Sequence, residues 1–177
     1  MGLGPVPLTF TKLTKPVLAT LHNEGHAVTS FIDDSLLVGR TKNDDVKSII
    51  ETVKTFDGHR FTVRDEKSQL EPTQEITYLG FVINSTDMTV KLTYERTQKV
   101  LQACDDLLRQ ARLKKKKKVI RSVAACIGLM VSNFAGVSPG QLHYRSLERD
   151  KNKALSENLR NWERFVQISA KGTEHFQ

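Results

Sequence analysis

Val28-Thr29-Ser30-Phe31-Ile32-Asp33-Asp34-Ser35-Leu36-Leu37-Val38-Gly39 sets two short β-prone runs on either side of a pair of acids. β-branched and aromatic residues favour strands and the polar pair favours a turn, so a tight hairpin is predicted with Asp33 and Asp34 at its tip. Adjacent carboxylates repel, and each disfavours the other's ionised form. A divalent cation offsets that cost directly, and hard oxygen ligands suit magnesium or manganese. Two such ions roughly 3.5–4 Å apart stabilise the attacking and leaving oxygens in phosphoryl transfer. An Asp-Asp pair standing alone is more often an ordinary solvated turn, because Asp favours turns through local hydrogen bonds. What surrounds the pair decides between the two.

Working outward, Phe10, Leu13, Val17, Leu18 and Leu21 recur at helical spacing before the hairpin, with Pro16 expected to kink or divide that helix. Asn23-Glu24-Gly25-His26 reads as its stop. After the hairpin, Asn43-Asp44-Asp45 is a plausible cap for a helix with Val46, Ile49, Ile50 and Val53 on one face, ending near Asp57-Gly58. Strands are then expected over Arg60 to Arg64 and Ile76 to Ile83, with Asn84-Ser85-Thr86-Asp87 turning into Met88 to Leu92. The order predicts an α+β layer, helices packed on one face of an antiparallel sheet.

The last third changes character. Tyr94 to Arg112 predicts a long helix with Val100, Leu101, Cys104, Leu107, Leu108 and Ala111 inward. Val119 to Phe134 predicts a second, with Val123, Ala124, Ile127, Met130 and Val131 inward and Pro139-Gly140 as its stop. Leu142 to Phe165 predicts a third helical stretch. These elements place a domain boundary near Thr93, giving an α+β domain over residues 1–92 and a helical one over 93–177.

Hydrophobic residues at 38% and charged residues at 27% describe a globular chain rather than a disordered tail. No apolar run approaches the length needed to span a bilayer, and no membrane partner is expected. Cys104 and Cys126 fall on apolar helix faces, and no CxxC or histidine cluster offers a zinc framework. Buried free thiols fit a reducing compartment, cytoplasm or nucleus, rather than secretion. The net charge of +7 suggests a polyanionic partner. Much of that charge lies in one place: Lys114, Lys115, Lys116, Lys117 and Lys118 run unbroken, flanked by Arg109, Arg112 and Arg121. Such a run reads as a solvated loop, as a nuclear localisation signal, or as a segment contacting phosphates without sequence specificity.

Four blocks in order lift the aspartate pair above the ordinary turn. Phe31-Ile32-Asp33-Asp34 resembles the aromatic-x-Asp-Asp signature of reverse transcriptases. Gly2-Leu3-Gly4-Pro5-Val6-Pro7-Leu8-Thr9-Phe10-Thr11-Lys12 resembles the Gly-x-x-x-x-Pro stretch that precedes it in that family. Lys67-Ser68-Gln69-Leu70-Glu71-Pro72 and Tyr78-Leu79-Gly80-Phe81 resemble the later palm motifs. In the second half, Ile127-Gly128-Leu129, Ser132, Phe134, Pro139-Gly140 and His143 to Glu148 resemble the thumb and connection of DIRS-type retrotransposons. Phe10-Thr11-Lys12 with Lys15-Pro16-Val17 points the same way.

The resemblance implies a partial polymerase palm followed by a helical thumb. Asp33 would be the principal metal ligand and Asp34 its partner, holding Mg2+ or Mn2+ for RNA-directed DNA polymerisation from deoxynucleoside triphosphates on an RNA/DNA template–primer. Gly2, Pro7, Phe31 and Lys67 would line the nucleotide pocket, although Lys67 reads equally as an ordinary exposed lysine. Tyr78, Leu79 and Gly80 would form the primer grip. Arg109, Arg112, Lys114 to Lys118 and Arg121 would contact nucleic acid. The family's third carboxylate lies on a strand preceding the Gly-x-x-x-x-Pro motif, at which this sequence starts. Asp44 and Asp45, at a helix start, are not expected to replace it. Catalysis by these 177 residues alone is therefore not expected, and the alternative is a non-catalytic template–primer or RNA/DNA-binding module.

Overall fold

The computed structural model describes residues 4–112, 118–137 and 144–169. The chain forms two compact units, Met1–Leu79 and Gly80–Gln177. The α+β class holds, with helices and antiparallel strand pairs in one chain.

In the first unit, helix α1 spans Val6–Asn23 and runs without a break through Pro16. Pro16 takes one backbone donor from the helix. Hydroxyls bonded back to carbonyls one turn earlier, Thr20 to Pro16 at 3.2 Å and Thr14 to Phe10 at 3.2 Å, follow the same ladder. Thr14, Val17 and Leu21 form the buried stripe, whereas Leu13 stands 59% exposed and does not belong to it. At the stop, Gly25 takes φ +88°, letting its amide reach His22 O and the His26 amide reach Leu21 O. Those two bonds make a Schellman cap, which requires a left-handed residue where glycine stands.

Strands β1 (Ala27–Phe31) and β2 (Asp34–Val38) pair antiparallel in the register Val28↔Leu37, Ser30↔Ser35 and Phe31↔Asp34. Val28 is buried beneath α1, and the Ser30 and Ser35 hydroxyls on the same face meet at 2.5 Å. Helix α2 (Lys42–Gly58) packs on β2 and α1. Its cap is Thr41, whose hydroxyl accepts from the Asp44 amide, so Asn43-Asp44-Asp45 is the first turn rather than the cap. Its buried residues are Ser48 and Thr52, while Val46 and Ile50 are exposed. Ile49 and Val53 of the expected face are half-buried, so the inward stripe is shifted toward Ser48 and Thr52, and His26 Nδ1 bonds the Ser48 hydroxyl at 2.9 Å.

Arg60 to Arg64 forms no strand. Phe61 instead anchors this extended segment edge-on against Phe10 and Phe56, with ring centroids 5.9 and 5.8 Å away. The run from Ile76 to Ile83 is divided: β3 is Glu75–Tyr78 and β4 is Phe81–Asn84. Leu79 (φ +50°) and Gly80 (φ +78°), both left-handed, stand between them.

In the second unit, β4 pairs with β5 (Thr89–Leu92) as expected, and the Asn84 side chain accepts from the Thr86 and Asp87 amides to fix the connection. Gly136 sits so close to Leu92 that a methyl group there would lie 3.0 Å from the Leu92 amide nitrogen. This packing ties the hairpin to the helical unit, so the compact units divide after Leu79, whereas the expected boundary falls after residue 92. Helix α3 (Tyr94–Arg112) has the expected bounds, with Leu107 buried and Leu101 exposed. Helix α4 (Ile120–Val131) and helix α5 (Arg145–Glu157) enclose a core of Leu107, Ile120, Val123, Cys126, Ile127, Leu147, Ala154 and Val166. Val131 lies outside it, 43% exposed.

α5 stops short of Phe165 because Leu159 and Arg160 take φ +51° and +59°. The chain then returns as β7 (Phe165–Val166), paired with β6 (Lys118–Val119), two strands absent from the sequence expectation. Pro139, Gly140, Leu142 and His143 lie outside the described residues.

Candidate active site

The two-residue connection of the β1–β2 hairpin consists of Ile32 and Asp33, with Asp34 opening β2 opposite Phe31. Ile32 takes φ +57° and Asp33 does not, which is the sign pattern of a type II′ turn. That first position normally takes glycine. A β-branched side chain there is a conformational outlier costing on the order of 1–3 kcal/mol. The aspartates therefore stand on a short connection held in an unfavourable conformation. Both are exposed, and among the described residues no hydrogen bond or salt bridge engages either side-chain carboxylate. Phe31 shares the outer face with Asp34 and is 57% exposed.

Tyr78, the last residue of β3, reaches this tip. Its hydroxyl donates to the main-chain carbonyl of Asp34 at 3.3 Å across 44 positions of sequence. Burial first, and the Asp34 carboxylate second, push the Tyr78 phenol above its ordinary value, against a lowering hydrogen bond to the Phe31 backbone. The resemblance implies a primer-grip role for Tyr78, and nothing in the spacing of the sequence reveals this contact.

Asp44 and Asp45 lie away from the tip. The Asp44 carboxylate accepts from the Thr41 hydroxyl at 2.8 Å, and the Asp45 side chain abuts Gly39, just past the other end of β2. Five residues of strand put roughly 15 Å between that end and the tip. Among the described residues no group of three or more His, Cys, Asp or Glu side chains gathers to hold a metal ion. Two exposed, uncommitted carboxylates fit magnesium or manganese in donor chemistry; water, phosphate oxygens or a carboxylate from outside the described residues would complete the shell.

Of the other expected site residues, Pro7 lies in the first turn of α1. Lys67 closes a 3-10 turn, Asp65–Lys67, with an exposed side chain. Leu79 and Gly80 are the left-handed pair described above. Gly80 also lies against Arg96, whose guanidinium stacks 4.5 Å from the centroid of Phe81 and whose Nη2 donates to Ser132 O at 3.5 Å. Arg96 was not singled out from sequence, where it is one cation among many. Arg109 pairs with Asp106 at 3.8 Å, and Arg121 with Glu163 at 2.7 Å, all with mostly exposed side chains. Gly2, Lys114, Lys115, Lys116 and Lys117 lie outside the described residues; for Arg112 and Lys118 the backbone alone is described. In the α3–α4 core the Cys126 thiol hydrogen bonds Cys104 and lowers its pKa, opposed by burial and Asp105.

Residues 1–83 match the family of reverse transcriptases (RNA-dependent DNA polymerases). No curated protein matches the chain in sequence. Among solved structures, the foamy viral protease-reverse transcriptase in complex with double-stranded DNA is similar in fold, with a TM-score of 0.62 at 18% identity. The likeness covers 96% of this chain and 26% of that one. It is thus in residues 1–83, just under half of the chain, that the reverse transcriptase family is recognised by sequence; over the remainder the likeness is one of fold.

Proposed function

We propose that the chain is a partial palm and thumb of a retroelement reverse transcriptase, of a branch most like the DIRS-type retrotransposons. Residues 1–92 act as the palm portion and 93–177 as the thumb and connection. The observation that carries this reading is the aspartate turn: two exposed carboxylates at a hairpin tip whose first position, Ile32, is held at φ +57°, inside the segment that matches the family. Strain of this kind persists where surrounding structure over-determines it, and it clusters at functional sites.

Asp33 and Asp34 would hold Mg2+ or Mn2+. Such ions stabilise the charge on a transferring phosphate and its attacking and leaving oxygens. Phe31, on the same face as Asp34, offers an exposed ring for a primer end or nucleotide; Gly2, Pro7 and Lys67 belong to the same pocket. Tyr78, Leu79 and Gly80 form the primer grip. Arg109 and Arg121 carry exposed guanidinium groups whose weak surface ion pairs exchange readily for phosphates, and Arg112 and Lys114 to Lys118 extend that basic set. Two free cysteines are consistent with work in the cytoplasm or nucleus.

With two carboxylates at the tip, these 177 residues bind template–primer but do not extend it alone. Primer extension with magnesium or manganese, beside binding to an RNA–DNA hybrid across a salt series, tests both halves. Binding that falls steeply with salt and no extension is the expected result. Incorporation that depends on Asp33 overturns the inactivity, and salt-insensitive or absent binding overturns the nucleic-acid role.

A further inference from the structure

We infer that Tyr78 is a positioning residue of the aspartate turn: by donating to the Asp34 carbonyl, its hydroxyl holds the Ile32–Asp33 connection in the conformation that presents both carboxylates to a divalent cation. The inference rests on the metal-binding reading of the tip and adds to it a group outside the hairpin.

The turn needs such a brace. A β-branched residue at φ +57° resists its own conformation, and a free two-residue connection would relax out of it. Within the hairpin, the Ser30–Ser35 hydroxyl pair lies one step behind the tip and on the inner face. On the outer face Phe31 is 57% exposed and presses on little. Tyr78 acts at the tip itself. It is the terminal residue of β3, and the 3.3 Å bond pins the peptide joining Asp34 to Ser35. Pinning that peptide limits the backbone angles of Asp34, and hence the direction of its side chain relative to that of Asp33. The hydroxyl touches main chain rather than carboxylate, which leaves the acidic oxygens free for the cation.

The test uses the full chain and Tb3+, an oxygen-seeking ion that luminesces when excited through a nearby aromatic ring. Wild type is expected to bind Tb3+ with tyrosine-sensitised emission, and Asp33→Asn to lose both. Tyr78→Phe is expected to weaken Tb3+ binding about three- to tenfold, the scale of one lost hydrogen bond. Its melting temperature should fall by no more than about 4–8 °C, the cost of that one bond in a unit of this size, and the sensitised emission should disappear. Tyr94→Phe, at an exposed position opening α3, should change none of these. Wild-type affinity in Tyr78→Phe overturns the positioning role and leaves the metal reading intact. Weakened affinity accompanied by a larger fall in melting temperature, or by loss of the β1 and β2 amide signals in NMR, shows a merely structural role and also overturns it. Tb3+ binding that is absent, or indifferent to Asp33→Asn, removes the metal reading and this inference together.

Discussion

Replacing Ile32 by glycine and by alanine tests the conformation of the aspartate turn through a reversal of sign. In ordinary strand or helix positions, glycine is less stable than alanine by roughly 0.5–1 kcal/mol, because it surrenders more chain freedom on folding. At φ +57° the order inverts. An L side chain pays on the order of 1–2 kcal/mol for a left-handed conformation and glycine pays almost none. Both variants lose the partly buried isoleucine side chain, a loss of about 1 kcal/mol that cancels between them. Glycine should therefore exceed alanine by roughly 0.5–1 kcal/mol. With a urea slope near 2 kcal/mol/M, the midpoints should differ by about 0.25–0.5 M. The chain has two compact units and its single tryptophan, Trp162, lies in the second, so the measurement should follow β1 and β2 amide signals by NMR through the urea series. An alanine variant as stable as the glycine variant, or more so, refutes the strained turn and removes the main structural argument for a built metal hairpin.

Gly39→Ala should destabilise the first unit by about 1–3 kcal/mol, since the added methyl would lie 2.8 Å from the Asp45 backbone nitrogen, which cannot swing away; an unchanged urea midpoint of the same amides contradicts this. The Tyr78 phenol is raised above 10.0 in the fold, so its neutral form contributes stability that is present below pH 10 and lost as pH rises through the raised value. Tyr78→Phe should remove that alkaline loss and Asp34→Asn should lessen it, as read from melting temperature against pH. Arg109→Ala and Arg121→Ala should each change stability by less than about 1 kcal/mol, because their ion pairs are exposed. Each should nonetheless make the logarithmic salt slope of hybrid binding shallower by about 0.7–0.9; an unchanged slope excludes that arginine from phosphate contact.

Local signals carried much of the architecture. Gly25 marked the end of α1, β-branched residues on either side of two acids marked the hairpin, and apolar spacing gave α3 its bounds. Failures came where a chain reversal used residues that do not advertise one. Leu79, Leu159 and Arg160 are left-handed without being glycine, so the sequence predicts one long strand where two stand and a last helix that runs past the end of α5. Periodicity also could not show which stripe faces a neighbour: α2 buries Ser48 and Thr52 rather than Val46 and Ile50. At the candidate site, the position of Asp33 and Asp34 at the tip was legible because turn chemistry is local. The Tyr78 contact was not, because 44 residues separate its partners and only the tertiary fold brings them together.

The register of the hairpin leaves no spare residue at its bend. With Phe31 directly opposite Asp34, only Ile32 and Asp33 span the gap. Strand side chains alternate between faces, so one residue added to the bend and absorbed by sliding β2 would send Leu37 outward, bring Leu36 opposite Val28, and move Asp34 from beside Phe31 to the face of Ser30. The spacing between the aromatic residue and the second acid is thus as much a requirement of this site as the acids themselves, and a single inserted codon there would turn the second acid to the opposite face of the ribbon.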